Sequence, residues 1–275
     1  MRSRLGRRGP LAAAALIAVL GASAPLAQTP APTFALDGPM KLAMAYDGVL
    51  LVKVLDLRID QQVSPTAFAA HASLKSLGVL SMFKKIDVTA AAEGRVQGAE
   101  PRPATFNHVN LDGQFNRRVR VNWSGADVTT WTSVAYPTQG DPAPTRSQKL
   151  AAADPLTELT RIALAPIGKA PCGEDTQLFD GRQLYRLDFA VARPRALSER
   201  ERRLGLTTPV RCALTFTELA GFDPKPPQKK NQGLGQPLSI EFARAGDHGP
   251  WVVAAVRGQT PLGEARIEIR DLKAR

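Results

Sequence analysis

The amino-acid sequence predicts a mainly β (α+β) protein in which antiparallel strands carry one principal helix and one disulfide. Three observations predict this fold class: apolar side chains alternate along several segments, Asp-Gly pairs separate some of these segments, and one Asp-Pro helix start stands near the middle of the chain. Alternation places successive side chains on opposite faces of a strand. Asp-Gly favours a tight turn, because both residues tolerate positive φ.

Residues 1–27 are predicted to be a secretory signal peptide. Four arginines precede the apolar run 11–20, which is too short to span a bilayer as a mature helix. The small residues that follow allow cleavage after Ala24 or Ala27, and Ala27 is preferred because Pro25 would otherwise begin the mature chain. An uncleaved anchor is the alternative. The signal predicts a periplasmic protein, and no later stretch of the sequence is apolar enough to cross a membrane.

The sequence beyond the signal peptide is predicted to hold one domain. Loss of four arginines and no acidic residue lowers the formal net charge from +11 to +7. Residues 28–38 are rich in proline and are predicted to be a flexible leader. Residues 39–275 are predicted to form a single β-rich domain, since a chain of this size can bury about 70–75% of its unfolded surface in one core.

The N-terminal half is predicted to consist of strands joined by tight turns. A first hairpin turns at Asp47-Gly48. Residues 64–86 fit a helix and also fit a strand to about Ser76 followed by a short helical turn, and local rules favour the helix slightly. Pro101 and Pro103 are expected to interrupt the sheet, because proline has no backbone donor. The further strands predicted in this half are 86–97, 105–111, 115–123 and 127–135.

The principal helix is predicted to start at Asp154-Pro155, because aspartate caps helices and proline suits the first helical position. Its inward stripe consists of Leu156, Leu159, Ile162 and Ala163. The preceding residues, 136–151, are predicted to form a surface loop. The strands predicted after the helix are 177–179, 182–193, 210–219, 237–244, 251–258 and 264–272.

The two cysteines, Cys172 and Cys212, are predicted to form a disulfide. Pairing of strand 182–193 with strand 210–219 would bring them to neighbouring positions, and an exported protein meets an oxidising compartment. Two buried free thiols are the alternative. A redox-active pair is disfavoured, because catalytic cysteines usually lie two residues apart.

Several of these segments together resemble a known family. DPLT at 154–157, FDGRQLYRLDF at 179–189 and the second cysteine within 210–216 resemble the exported proteobacterial domain of unknown function family 3108. The resemblance covers about residues 45–272. It implies a strand rather than a helix at 68–74, and a curved antiparallel sheet or half-barrel similar to that of the periplasmic lipoprotein carriers. It implies no catalytic residues, because the family has no settled activity.

The sequence contains no motif that demands catalysis, a metal or a cofactor. His71, His108 and His248 are far apart, and none has a second histidine, cysteine or acidic residue at metal-ligand spacing. Nucleophile-elbow, HExxH, Walker and GxGxxG motifs do not occur in it. We therefore expect no catalytic residue, no metal site and no cofactor, although a site assembled in space stays open.

Basic residues cluster in two segments after the cysteine-containing strands, and we expect these segments to lie at one end of the sheet. Such clusters attract the phosphates of lipid headgroups or lipopolysaccharide, and the alternative is a pair of solvated loops. Nucleic acid is disfavoured, because no aromatic residues interleave with the basic ones. The candidate anion-binding residues are Arg193, Arg195, Arg200, Arg202, Arg203, Lys225, Lys229 and Lys230.

The function favoured by the sequence is a non-enzymatic binding or carrier module for an apolar or lipid-like ligand. This hypothesis predicts an apolar cleft between sheet and helix, with the basic segments at its mouth. The alternative is a structural or interaction protein of the cell envelope with a filled interior. The expected partner is a lipid or another envelope component, and the sequence leaves the oligomeric state open.

Overall fold

The computed structural model describes residues 36, 38–111, 116–166, 168–190, 193–224, 235–260 and 263–275. For Val79, Phe83 and residues 235–237 it describes the backbone. The strands are β1 Met40–Val49, β2 Lys53–Val63, β3 Ala67–Ser76, β4 Asp87–Gln97, β5 Glu100–Asn110, β6 Arg117–Ser124, β7 Asp127–Thr132, β8 Asp175–Phe179, β9 Leu184–Phe189, β10 Arg193–Pro194, β11 Leu206–Ala220, β12 Gly235–Ala245, β13 Trp251–Thr260 and β14 Gly263–Ala274. The helices are α1 Gly78–Phe83, α2 Arg146–Ala151, α3 Pro155–Ala163 and α4 Glu199–Arg203.

The strands form one curved antiparallel sheet, which confirms the predicted fold class. The strand order is β7-β6-β5-β4-β3-β2-β1-β14-β13-β12-β11-β9-β8, and β10 pairs with β11. The two halves of the chain meet in the middle of the sheet, where β1 pairs with β14 and Leu42 lies opposite Ala274. Within the described residues the sheet is unclosed, so β7 and β8 are its two edges.

The inner face of the sheet is apolar and packs around α3. On β1, for example, Met40, Leu42, Met44 and Tyr46 are buried and alternate with less buried residues. Leu156 and Ala163 of α3 belong to the core cluster that contains these residues, whereas Ile162 of the same helix belongs to a second cluster with Cys212 and Trp251. The helix therefore connects the apolar interiors of both halves of the sheet.

The start of β5 differs from the prediction. The strand begins at Glu100, so Pro101 and Pro103 lie inside it instead of interrupting the sheet. Strand β6 pairs with β5 only from Thr105 onward, and the proline-containing part has β4 as its described neighbour. Proline is tolerated there, because a strand segment with one free side does not need every backbone donor.

Two of the short helices were not predicted. Residues 136–151 were expected to be a loop, yet α2 ends this segment, and α4 lies in the arginine-rich stretch before β11. Each has a capping box, formed by Thr145 and Gln148 for α2 and by Ser198 and Glu201 for α4. The Ser/Thr-x-x-Glu/Gln spacing is the sequence pattern for such a start. The ambiguous segment 64–86 forms β3, where the family resemblance implied a strand, and then α1, where the sequence allowed a short helical turn.

The disulfide prediction is confirmed. Cys172 and Cys212 are bonded, with a Cα–Cα distance of 6.0 Å, so the alternative of two free thiols is excluded. The neighbouring strands pair as expected, with Phe189 of β9 opposite Leu214 of β11. The bond thus attaches the segment after α3 to the strand that carries Cys212.

The turn between β8 and β9 brings the two halves into contact. Gly181 in this turn has φ of +101°, and a Cβ atom added to it would lie 2.3 Å from Val119 and 3.1 Å from Val121 on β6. Tyr136 lies under guanidinium groups from both halves, at 3.9 Å from Arg117 and 4.8 Å from Arg182. The curvature of the sheet therefore brings its β8–β9 end against its β6–β7 end.

Removal of the disulfide is expected to lower the stability substantially. The bond closes a loop with a sequence separation of 40 residues, and the chain-entropy relation assigns about 4 kcal/mol to such a loop. The Cys172→Ala/Cys212→Ala variant should lose about that much free energy of unfolding in urea titrations. Reduced wild-type protein should match the variant, and an equal stability of variant and oxidised wild type would contradict the expectation.

A methyl group at Gly181 is expected to disturb the contact between the two ends of the sheet. Gly181→Ala should lower the free energy of unfolding by about 1–3 kcal/mol more than Gly173→Ala, because it adds overpacking to backbone strain. Gly173 is the matched control, since its φ is +86° and nothing lies within 4 Å of an added Cβ. Thermal or urea unfolding measures both variants, and equal losses would argue against close packing at the turn.

Candidate functional site

A large cavity lies where the two ends of the curved sheet approach each other. Its volume is about 810 Å³. It lies between the β4–β5 turn, the end of β6, the chain from α2 to α3 and the start of β8. Its lining residues are Arg95, Gln97, Glu100, Pro101, Arg102, Pro103, Ala104, Trp123, Ser124, Gly125, Leu150, Ala151, Ala152, Ala153, Glu158, Arg161, Asp175, Thr176 and Gln177. We call it the seam cavity.

One wall of the seam cavity is the chain from α2 to α3, which spans the gap between the edge strands. On one side the Trp123 indole donates to the carbonyl of Lys149 at 3.3 Å. On the other side the backbone of Ala153 donates to Gln177 at 3.1 Å and accepts from Phe179 at 2.8 Å. This segment is therefore fixed to β6 and to β8 at once.

The start of α3 is fixed by a buried carboxylate next to the cavity. Asp154 is fully buried, and its side chain accepts hydrogen bonds from the backbone nitrogens of Leu156 and Thr157, each at 2.9 Å. Burial raises the pKa of this carboxyl, although its hydrogen bonds act in the opposite direction. The cap orients the first turn of α3, and the second turn carries polar side chains into the cavity.

The floor of the cavity is a network of ion pairs around Arg161. Its guanidinium donates to Glu158 at 2.7 and 2.9 Å and to Glu174 at 2.7 Å. The hydrogen bond with Glu158 raises the pKa of Arg161 further above its usual value. A hydrogen bond from Lys169 and the neighbouring Arg161 hold the pKa of Glu174 below its usual range. Both carboxylates are thus already occupied by cations of the protein.

Two arginines at the rim have no such partner. Arg95 on β4 and Arg102 on β5 are Cα partners across the hairpin, so they stand on the same face of the sheet. Both are exposed, and neither forms a salt bridge among the residues that the structure describes. Like charges directly opposite each other repel and destabilise a sheet. An anion bound between them would remove this repulsion.

The rim also has apolar surface. Pro103, Trp123 and Leu150 line the cavity and are at least partly exposed, whereas Pro101 lines it as a buried residue. The combination of guanidinium donors with apolar surface suits a ligand that carries an anionic group and a hydrocarbon part. In the described part of the chain, no group of three or more His, Cys, Asp or Glu side chains is arranged to hold a metal ion.

The predicted anion-binding residues lie elsewhere in the structure, and none of those described lines the seam cavity. Arg195 is largely buried and forms a bidentate pair with Glu201, and its guanidinium also lies 3.4 Å from Glu241. Glu241 is buried as well and accepts from Arg211 and Arg257 on neighbouring strands. Arg195 therefore neutralises carboxylates of the protein itself.

The remaining predicted arginines are nearer to solvent. Arg202 donates to the carbonyl of Leu197 at 2.7 Å, Arg203 pairs with Glu199, and Arg200 lies 3.8 Å from Asp47. Arg193 is exposed on β10. A smaller cavity of about 280 Å³ borders Arg195 and Arg200. Anion binding by these arginines stays a prediction.

The two basic segments attach to opposite ends of β11. Helix α4 precedes Leu206, the first residue of this strand, whereas Lys225, Lys229 and Lys230 follow Ala220, its last residue. The expectation that both segments lie at one end of the sheet stays a prediction. The three lysines lie outside the described residues.

Sequence reasoning missed the rim arginines and Trp123. The strand prediction ended β4 at Gln97 and resumed at Thr105, so Arg102 was not placed opposite Arg95. The signal was the two-residue turn Gly98-Ala99 between Gln97 and Glu100, which are paired in the hairpin, and Gly98 has the positive φ that such a turn needs. A hairpin through the prolines would have placed the two arginines together.

Comparisons with known proteins add little to this description. No protein-family model matches the chain, and no curated protein matches it. The chain is similar to a solved β-barrel-like protein of the domain of unknown function DUF1849 from Brucella abortus, with 12% sequence identity and a TM-score of 0.42, over 86% of this chain and 97% of that chain. The fold described above is assigned from the strand order of this chain itself.

The buried position of Arg195 predicts a structural role that its neighbour Arg193 lacks. Arg195→Ala removes the cationic partner of the buried Glu201 and one of the three arginines around Glu241, and we expect a loss of about 3 kcal/mol in the free energy of unfolding. Arg193→Ala is the matched control and should change it by less than about 0.5 kcal/mol. Urea unfolding of both variants checks this, and similar losses would contradict it.

Proposed function

We propose that the protein is a non-enzymatic, exported binding module that holds an anionic, lipid-like molecule in the seam cavity. The observation that carries the proposal is the pair of exposed, unpaired arginines opposite each other at the cavity rim, beside an apolar surface. Such a pair provides parallel N–H donors that suit a phosphate or carboxylate.

The size of the cavity supports the proposal. Its volume of about 810 Å³ falls within the range of roughly 300–1,000 Å³ that is common for small-molecule sites. The acyl part of a ligand would contact Pro103, Trp123 and Leu150 at the rim. The apolar side chains of the inner face pack against α3, so the binding site lies at the seam rather than between sheet and helix.

The periplasm is the compartment proposed for this module. The predicted signal peptide, residues 1–27, lies outside the described residues, as does nearly all of the proposed leader. A disulfide between Cys172 and Cys212 supports an oxidising compartment. We extend the proposal to membership of the exported family 3108, which the segment around Cys172 supports by its resemblance. We also propose a single domain over residues 39–275, which the one continuous sheet supports.

The alternative is a structural or interaction protein of the cell envelope. It is supported by the interior of the sheet, where α3 packs against two apolar clusters. The helix occupies the space that a ligand bound inside the sheet would need. Under this alternative the seam cavity is a surface cleft without a ligand. The two functions differ in whether a small molecule accompanies the protein.

Native mass spectrometry of the protein recovered from the periplasm of the cells that make it tests the proposal. We expect a bound anionic amphiphile, because the rim arginines attract the head group and the apolar rim shields part of the hydrocarbon. The Arg95→Ala/Arg102→Ala variant should bind at least about tenfold more weakly, and at sub-saturating ligand it should therefore lose about 90% of the bound species.

The matched control is Arg118→Ala/Arg120→Ala, which removes the same charge from two exposed arginines of β6 outside the cavity. This control should keep the bound species. Equal loss from both double variants would point to general electrostatic attraction. Absence of any adduct from the wild-type protein would favour the structural alternative.

A further inference from the structure

The exposed apolar side chains of the protein are concentrated at one end of the sheet. In the part of the chain that the structure describes, the large apolar residues with exposed side chains are Leu51, Val52, Met82, Leu111, Trp131, Val134, Leu150 and Phe216. Strands β1, β3, β5 and β7 all end on the same side, because the strands from β1 to β7 form an antiparallel meander. Leu51, Val52, Met82, Leu111 and Val134 all follow the ends of these strands.

The most exposed of these residues lie in two adjacent connections. Leu51 and Val52 form the β1–β2 turn and are 83% and 60% exposed, and Met82 of α1 is 81% exposed. The backbone of Leu77, which precedes α1, donates to Val54 at the start of β2 at 2.8 Å. Since strands lie about 4.8 Å apart, the two connections are roughly 10 Å apart along the end of the sheet.

Basic side chains stand next to this apolar surface. Lys84 and Lys85 directly follow α1, are exposed, and form no salt bridge within the described residues. Lys53 follows Val52, but it is paired with Asp47 at 2.7 Å. Asp87, the nearest acidic residue along the chain, stands opposite Lys75 on β3. The two free charges of Lys84 and Lys85 therefore face solvent beside Met82.

We infer that this end of the sheet docks on an anionic membrane surface, with Leu51, Val52 and Met82 inserted among the head groups and Lys84 and Lys85 bound to lipid phosphates. We call these five residues the docking rim. In an anionic membrane, hydrocarbon lies below a layer of lipid phosphates. The apolar tips can reach the hydrocarbon while the adjacent lysines bind the phosphates.

The docking rim is independent of the proposed ligand site. The seam cavity includes the β4–β5 turn and the β6–β7 turn, which lie at the opposite end of the same strands. A variant of the docking rim should therefore leave ligand binding unchanged, and a variant of the seam cavity should leave membrane binding unchanged.

Co-sedimentation with lipid vesicles tests the inference. The protein is purified after export from an expression host, and removal of residues 1–27 is checked by mass spectrometry so that the signal peptide does not contribute. We expect binding to vesicles of phosphatidylglycerol and phosphatidylethanolamine, and binding at least about tenfold weaker to vesicles of phosphatidylcholine alone. Failure of the wild-type protein to bind the anionic vesicles would overturn the inference.

Two sets of variants separate insertion from charge attraction. Leu51→Ser/Val52→Ser should weaken vesicle binding at least about tenfold, whereas Phe216→Ser, which removes an exposed apolar side chain of β11, should not. Lys84→Glu/Lys85→Glu should weaken binding to anionic vesicles, whereas Lys41→Glu/Lys273→Glu, with the same charge change at the opposite end, should keep it. Circular dichroism of all variants confirms that they are folded.

The controls also define the results that contradict the inference. Equal loss from the two lysine variants would indicate attraction to the net charge of the protein. Unchanged binding by the Leu51/Val52 variant would exclude insertion of the β1–β2 turn. The wild-type protein could instead fail to bind vesicles and self-associate in sedimentation velocity. If Leu51→Ser/Val52→Ser abolishes this self-association, the docking rim is a protein interface and the membrane inference is wrong.

Discussion

The structure depends on how α3 is held inside the curved sheet. A helix of nine residues is too short to be stable alone, so its position must come from its surroundings. Asp154 caps its first turn, and Thr160 accepts a hydrogen bond from Gln61 of β2 at 3.3 Å while donating to the carbonyl of Leu156. Because these buried polar groups satisfy one another, the helix can lie within the apolar interior at little cost.

The open edges of the sheet follow from the same arrangement. A closed barrel would need β7 to hydrogen-bond β8, but the chain from α2 to α3 lies between the two edges and hydrogen-bonds both sides of the gap. The backbone groups of β8 next to Ala153 are thereby satisfied without closure. The remaining space at the gap becomes the seam cavity, so the cavity is a result of how the edges are covered.

Much of the fold could be predicted from local sequence. Alternation identified most strands, Asp154-Pro155 marked the start of α3, and the pairing of two strands linked Cys172 with Cys212. These features depend on residues that are close together along the chain, or on a pattern with a fixed period. The capping boxes of α2 and α4 were also local, and they were missed because their surroundings resembled loops.

The candidate site could not be predicted in the same way. Arg95 meets Arg102 only when β5 begins before its prolines, and the pairing shifts at Gly94, where a Cβ atom would lie 2.1 Å from the carbonyl oxygen of Arg102. Arg195 was predicted to bind an external anion because the sequence does not reveal Glu241, which lies 46 positions later and two strands away in the structure. Which charges are free depends on tertiary neighbours.

The pairing of β1 with β14 has a consequence for how the sheet is assembled. These two strands are neighbours at the centre of the sheet although more than 200 residues separate them, and Arg270 reaches Asp47 and Asp56 across that junction. During synthesis, β1 therefore emerges long before its partner and carries an unsatisfied edge until the last strand appears. The N-terminal meander has local contacts and can form early, whereas joining the halves requires the slow closure of the longest loop in the molecule.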